Sequence, residues 1–230
     1  MHNTTIIFAP HSDDETLGCG GTIAKKVSEG NEILVVVMTD GRKCFNGLIN
    51  NSSSLPIQQL IETRREETRN ALKKLGISNP DKSLIFLGFE DRKLADFESA
   101  AETRVVQILS DNLPSEIFFP HSKEVNPDHR ATNRIVRLAV KGLSTNADCY
   151  QYRVTQKSFS RFGPFINSVF NFLSHRKVAI DISDFLNLKK AAIKEYKSQT
   201  KLWIANQKKP VMDKKTIEAH LKNKEIFYRC

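Results

Sequence analysis

The sequence predicts an α/β fold, a Rossmann-like three-layer sandwich with a mostly parallel central sheet. Short β-branched apolar runs alternate with longer amphipathic stretches along most of the chain. The runs have hardly a polar break, as strands buried on both faces require. The links are short, and right-handed crossovers of that kind place helices on both faces of a sheet.

TTIIFAP (4–10) is the first such run and EILVVVMTD (32–40) the second. Between them TLGCGGTIAKKVSEG sets Leu17, Ile23, Ala24 and Val27 at helical spacing and closes on Gly30, the sign of a helix with a glycine after its end. The pattern then repeats. Residues 58–76 read as a long helix ending at Gly76, 83–88 as a strand and 96–113 as a helix. EIFFP (116–120) supplies a fourth strand and residues 129–143 the helix behind it. Past residue 145 the alternation weakens: 148–156 and 177–182 read as strands, and 183–207 as one long helix capped by Ser183 or Asp184. No Pro/Gly/Ser-rich linker divides the chain and no repeat is present, so residues 1–230 are expected to form a single domain.

The composition bounds the function. With 40% hydrophobic and 27% charged residues in 230, the chain can bury a sizeable core, and ten Gly and eight Pro exclude a collagenous or low-complexity polymer. Cys19, Cys44, Cys149 and Cys230 lie far apart, which suggests neither a thiolate zinc site nor a disulfide framework. No apolar run approaches bilayer length, and MHNTTIIFAP lacks the basic and apolar regions of a signal peptide, so a reducing, cytoplasmic setting is expected.

The net charge of +9 is unevenly spread: residues 1–150 hold 18 Lys and Arg against 20 Asp and Glu, residues 151–230 hold 17 against 6. A basic C-terminal third attracts phosphates, nucleotides and acidic headgroups alike, and is equally read as a solvated face. No nucleic-acid docking motif accompanies it, so no specific nucleic-acid partner is expected.

In open parallel sheets ligands sit outside the carboxyl ends of the strands. Ala9-Pro10-His11-Ser12-Asp13-Asp14-Glu15 follows the first strand, and His121-Ser122-Lys123-Glu124-Val125-Asn126-Pro127-Asp128-His129 the fourth, on the same rim. Together they offer imidazoles and carboxylates but no thiols, a set suited to a catalytic zinc or similar divalent ion held by three protein groups with one position left for water. His11 and Asp14 can converge on one ion, and because the adjacent side chains of Asp13 and Asp14 must point differently, one carboxylate can ligate while its neighbour stands beside it as general base. Either cluster alone reads as well as helix capping, Asp13-Asp14 at one helix and His129 at the start of another. Two on one rim favour the metal.

A dinucleotide site is the rival, because Gly18-Cys19-Gly20-Gly21 opens the first helix and Asp40 ends the second strand. The fingerprint needs glycines directly after the strand, whereas here about eight residues intervene, including three carboxylates that repel phosphate. The glycines are expected instead to let the helix pack closely on the sheet.

The segment from Ala9 to Glu15 resembles the A-H/P-x-D-D-E signature of the PIG-L (LmbE-like) family of zinc-dependent de-N-acetylases. Arg64-Arg65-Glu66-Glu67 with Ala71 and Leu75-Gly76 resembles that family's arginine helix, and Glu124 to Thr132 its D-x-H/N-P-D-H-R-A-T segment. Lys190, Ala191, Ser198 and Gln199 resemble a late K-x-A-x-x-x-x-S-Q helix, so the likeness runs through most of the chain in order. It implies a hydrolase removing the N-acetyl group of an acetamido sugar, an N-acetylglucosaminyl substrate linked to phosphate, nucleotide, lipid or another carrier. A larger sugar-thiol amide and a catalytically weak glycan-binding relative are the alternatives.

By the same resemblance His11, Asp14 and His129 ligate Zn2+, with Fe2+ the other candidate. Asp13 is the base, and Asn126 and Asp128 complete the catalytic set. Many relatives carry His where this chain has Asn126, so the oxyanion donor is expected to be a neutral amide, with His121 as a further candidate. Glu124 stands where Asp is usual. Arg64 and Asp91 are nominated for substrate binding, against a surface Arg64–Glu67 ion pair and an ordinary turn. The Phe-rich stretch 158–172 is expected either to pack on the core or to form an apolar lid or membrane-surface patch beside anionic lipid; a homo-oligomer is a further expectation.

Overall fold

In a computed structural model, which describes residues 3–45, 57–155, 176–205 and 207–230, the strands form one seven-stranded sheet of order β3-β2-β1-β4-β5-β7-β6. The strands are β1 (Thr4–Ala9), β2 (Glu32–Thr39), β3 (Leu84–Phe89), β4 (Glu116–Pro120), β5 (Asp148–Tyr152), β6 (Arg176–Asp181) and β7 (Lys224–Arg229). Helices α1 (Asp14–Ser28), α2 (Ile57–Lys74), α3 (Glu98–Asn112) and α4 (Pro127–Leu143) connect or follow the first strands; α5 (Leu186–Ile193), α6 (Lys197–Thr200) and α7 (Lys214–His220) precede β7. Pairing is parallel from β3 through β5; β7 is antiparallel to both of its neighbours. The α/β class with a mostly parallel sheet is therefore as expected.

The unbroken apolar runs have a simple cause. Ile7, Val35, Val37 and Phe118 face a core shared with Leu17 and Ile23 of α1 and Leu72 of α2. Ile6, Phe8, Val36, Met38, Ile117 and Phe119 face the opposite core, with Val105 of α3 and Ile135 of α4. Strand side chains alternate between faces, so a sheet covered on both sides consumes apolar residues at every position.

Helix α1 lies against the sheet without spacing side chains. A Cβ on Gly18 would strike the Tyr152 ring, and one on Gly21 would strike Ile182. At its other end Gly30 has φ +79°, while the backbone N–H groups of Gly30 and Asn31 donate to Val27 and Lys26, as a glycine-terminated helix does.

The C-terminal third departs from expectation. The long helix over 183–207 is broken: a 3-10 turn at Ser183–Phe185 leads into α5, a break at Tyr196 precedes the four-residue α6, and residues 201–205 are not helical. Neither Ser183 nor Asp184 caps it; Ser183 instead donates from its N–H and hydroxyl to Asp181. The break turns Ser198 toward Glu67, which accepts its N–H (2.7 Å) and hydroxyl (2.6 Å). Strand β7, inserted between β5 and β6, is an addition to the expected elements. The Phe-rich stretch 158–172 lies outside the described residues. No helix among the described residues is long and apolar enough to cross a membrane.

Candidate metal centre at the carboxyl rim

The loops after β1 and β4 meet. Asp14 Oδ2 lies 3.1 Å from His11 Nδ1 and 3.1 Å from His129 Nε2, and it also accepts the His11 backbone N–H at 3.0 Å. The three donor atoms lie within 4.8 Å of one another, and all three residues are buried. Two imidazole nitrogens and one carboxylate oxygen without a thiolate form a donor set that fits a zinc-type or iron-type divalent ion.

Each imidazole is also held from behind. His11 Nε2 faces Asp128 Oδ2 at 3.1 Å and Asp91 Oδ1 at 3.3 Å. Asp128 is itself fixed by the N–H groups of Arg92 (2.7 Å) and Leu94 (3.2 Å), and Asp91 by that of Lys43 (2.9 Å). His129 Nδ1 has Glu124 Oε2 at 3.6 Å, within ion-pair reach but long for a hydrogen bond. Carboxylates behind metal-ligating imidazoles set the ring orientation and raise its basicity.

Electrostatics follow from burial and this charge pattern. Burial works to raise the Asp14 pKa, but His129 and His11 outweigh it and hold the carboxyl well below its usual range. Burial works to lower His129, and Asp14 overrides it, bringing the imidazole up to about 9. Asp13 goes the other way: burial, reinforced by Asp14 and Glu15, outweighs the Arg64 guanidinium and pushes it up to about 8. Neighbouring carboxylates in one loop are thus driven apart, the signature of groups with different tasks.

Asp13 sits at the N-cap of α1 yet makes no side-chain capping bond, and its φ of 120° is left-handed backbone unusual for an L-residue. Asp13 therefore does not cap α1 through its side chain, while Asp14 and Glu15 place carboxylates in the helix's first turn. At α4 the cap is Asn126, whose Oδ1 accepts the Asp128 N–H at 2.9 Å, and Pro127 rather than His129 is the first helical residue.

Arg64 is not a surface residue paired with Glu67. Only 2% exposed, it donates to the carbonyls of Gly41 (3.1 Å) and Ser12 (2.5 Å) and reaches Asp13 Oδ2 at 3.3 Å. Asp91 belongs to no ordinary surface turn; it is buried against His11. His121 anchors its loop: Nδ1 accepts the Lys123 N–H at 3.0 Å, and the ring meets Tyr228 edge-on at 4.8 Å. Asp40, the acid of the dinucleotide rival, is occupied by Arg42 (2.7 Å).

The sequence did not single out Tyr196, whose hydroxyl donates to the fully buried Glu15, or the buried pair Lys189–Glu225 at 2.6 Å. The buried lysine of the late helix is Lys189, whereas Lys190 is exposed. The Lys-Lys doublet carries no signal to distinguish them except helical phase.

Comparisons with known proteins agree with this geometry. The profile of the family described as PIG-L, GlcNAc-PI de-N-acetylase, matches residues 6–140. The uncharacterized deacetylase YaiS of Escherichia coli (strain K12) is 30% identical over 147 residues, 60% of this chain and 68% of that protein. The probable N-acetyl-alpha-D-glucosaminyl L-malate deacetylase 2 of Bacillus subtilis (strain 168) is 25% identical over 99% of this chain and 97% of its own. The solved N,N'-diacetylchitobiose deacetylase from Pyrococcus horikoshii superposes with a TM-score of 0.68 over 99% of this chain and 84% of that one; at 22% identity the likeness concerns the fold.

Proposed function

We propose that this chain, which belongs to the PIG-L family, is a metal-dependent hydrolase that removes the N-acetyl group from an acetamido sugar of the N-acetylglucosaminyl type. The observation that carries the reading is the convergence of His11 Nδ1, Asp14 Oδ2 and His129 Nε2 from two distant loops, with the Asp13 carboxylate in the same turn. The relatives named deacetylases give it its chemical direction. Zinc is the proposed ion and iron its competitor, and a cytoplasmic setting belongs to the same proposal.

When bound, a divalent ion supplies Lewis acidity toward an amide carbonyl and toward water. The remaining work falls to the protein. Asp13 takes the proton of the attacking water and delivers it to the leaving amine, a role served by a carboxyl whose affinity for protons is raised by its buried setting. Arg64 holds the Ser12 carbonyl and the Asp13 carboxylate together, fixing the direction in which that base points. Asn126 keeps its carbonyl oxygen in the α4 cap, which turns its amide nitrogen into the candidate donor for the oxyanion. Asp91 and Asp128 orient His11 through Nε2, so that Nδ1 faces Asp14.

Metal analysis of the purified protein with an acetate-release assay over N-acetylglucosamine, its phosphates, nucleotide sugars and lipid-linked forms tests this. Asp13→Asn is expected to keep the metal and lose roughly 10²- to 10⁴-fold in kcat, whereas His129→Ala loses both. Undiminished turnover in Asp13→Asn refutes the assignment of the base.

A further inference from the structure

The sequence places an excess of cations in the last third of the chain, and the metal centre uses none of them. Some gather in one place. The end of β5, α7 and β7 border, against the first turns of α1, a half-open cavity of about 240 Å³ lined by Arg153, Lys222, Lys224, His220, Thr155 and Tyr228. That is below the roughly 300–1,000 Å³ usual for a whole drug-sized ligand, and it suits a single anionic group.

The charge in this cavity is unbalanced. Its one carboxylate, Glu225, is consumed by the Lys189 ammonium (2.6 Å), by the N–H groups of Gly21 (2.9 Å) and Thr22 (2.8 Å), and by the Thr22 hydroxyl (2.6 Å). Arg153 and Lys222 form no ion pair among the described residues, and Lys224 has only the exposed Asp181 opposite it across the β6–β7 pair; the stretches outside description, 1–2, 46–56, 156–175 and 206, contain no Asp or Glu at all.

Arg153 is also held in place. Its guanidinium lies 5.3 Å from the centre of the Tyr228 ring, and its buried Nε has no hydrogen-bond partner among the described residues.

We propose that this cavity binds a phosphoryl group, clamped by the Arg153 guanidinium and the Lys222 and Lys224 ammonium groups. A phosphomonoester carries about −1.5 to −2 charges at neutral pH and three acceptor oxygens, a better match to three cations than a carboxylate.

Glu124 joins the cavity to the metal centre. Glu124 accepts the N–H groups of Val154 (3.0 Å) and Thr155 (3.1 Å) while its carboxylate faces His129. The phosphoryl group therefore belongs either to the acetamido substrate or to a separate ligand whose binding is felt at His129. Its presence does not depend on the deacetylase reading, but the consequence for turnover rests on it.

Titration of inorganic phosphate into chelator-treated protein by calorimetry tests the cavity with the metal centre removed from the readout. Saturable binding is expected in the wild type, weaker by about tenfold or more in Arg153→Gln/Lys222→Gln/Lys224→Gln, with unchanged melting behaviour. No saturable binding up to roughly 10 mM phosphate, or equal binding in the triple variant, overturns the proposal.

Metal-loaded protein then distinguishes the sources. A substrate-borne phosphate makes kcat/KM for N-acetylglucosamine 1-phosphate exceed that for N-acetylglucosamine in the wild type, and the triple variant loses the preference. A separate ligand makes inorganic phosphate alter turnover of the unphosphorylated sugar in the wild type alone. Loss of deacetylation with phosphate binding intact would strike the proposed function and leave the cavity standing.

Discussion

Asp13 combines a strained backbone with a carboxyl that burial has made reluctant to ionise. A non-glycine residue held at such a φ costs of order 1–3 kcal/mol, and such strain collects where function demands a fixed direction. Asp13→Gly is accordingly expected to melt at a higher temperature than Asp13→Asn, by an amount equivalent to roughly 1 kcal/mol, although both are expected to lose turnover. Equal melting temperatures would mean that the loop carries no strain. Among the thiols, Cys230 is exposed and its hydrogen bond with Cys149 lowers its pKa to about 7, whereas burial pushes Cys19 and Cys44 up. Brief iodoacetamide treatment near neutral pH followed by peptide mass spectrometry should find Cys230 modified first. The candidate ligands were legible because loop position and donor chemistry are properties of sequence. The surroundings of Arg64, Asp91 and Asp128 were not, since spacing does not reveal that all three turn inward beneath the rim.

Elements in the first two thirds announced themselves because a covered parallel sheet forces apolar runs, and such runs are hard to mistake. The glycines of α1 were read for their proper use: they bring helix backbone against Tyr152 and Ile182. The late helix misled because its pattern stays amphipathic through Tyr196, and the contacts that fix the break, Tyr196 with Glu15 and Ser198 with Glu67 on α2, are remote in sequence. β7 was missed because KEIFYR is short and half polar: Glu225 and Phe227 point inward while Lys224 and Ile226 face out. Glu225 is nonetheless the peg on which α1, α5 and β7 hang together. Removing one member of a buried pair strands the other, so Glu225→Ala should lose about 3–5 kcal/mol in denaturant unfolding. A loss near that of an exposed ion pair, under about 1 kcal/mol, would contradict the role assigned to it.

At the scale of the whole molecule, acid stability offers a test of the α7 packing against α1 and β5. Burial, with Lys189 adding to it, lowers the His220 pKa from 6.5 to about 4, so the folded protein keeps this imidazole neutral where the unfolded chain protonates it. Its contribution is therefore complete above pH 6.5 and is lost as pH falls toward 4, by up to about 3 kcal/mol. Over that window His220→Gln should show a flatter stability profile than the wild type in chemical unfolding; parallel profiles would place His220 in solvent. The fold class was legible because alternation of strand and helix is a whole-chain property, whereas closure of the sheet by its last strand depends on contacts remote in sequence.

Strand order carries a consequence for synthesis. β7 lies between β5 and β6 although it is the last of the seven to be made. A nascent chain emerging from the ribosome can dock β1 through β5 in turn, yet β6 must wait beside an open edge until Lys224–Arg229 arrives to bridge it. The wall of the cationic cavity is completed in the same event, because Lys224, Glu225 and Tyr228 ride on that strand. Half-made chains thus carry the residues of the candidate metal centre before they own a finished sheet.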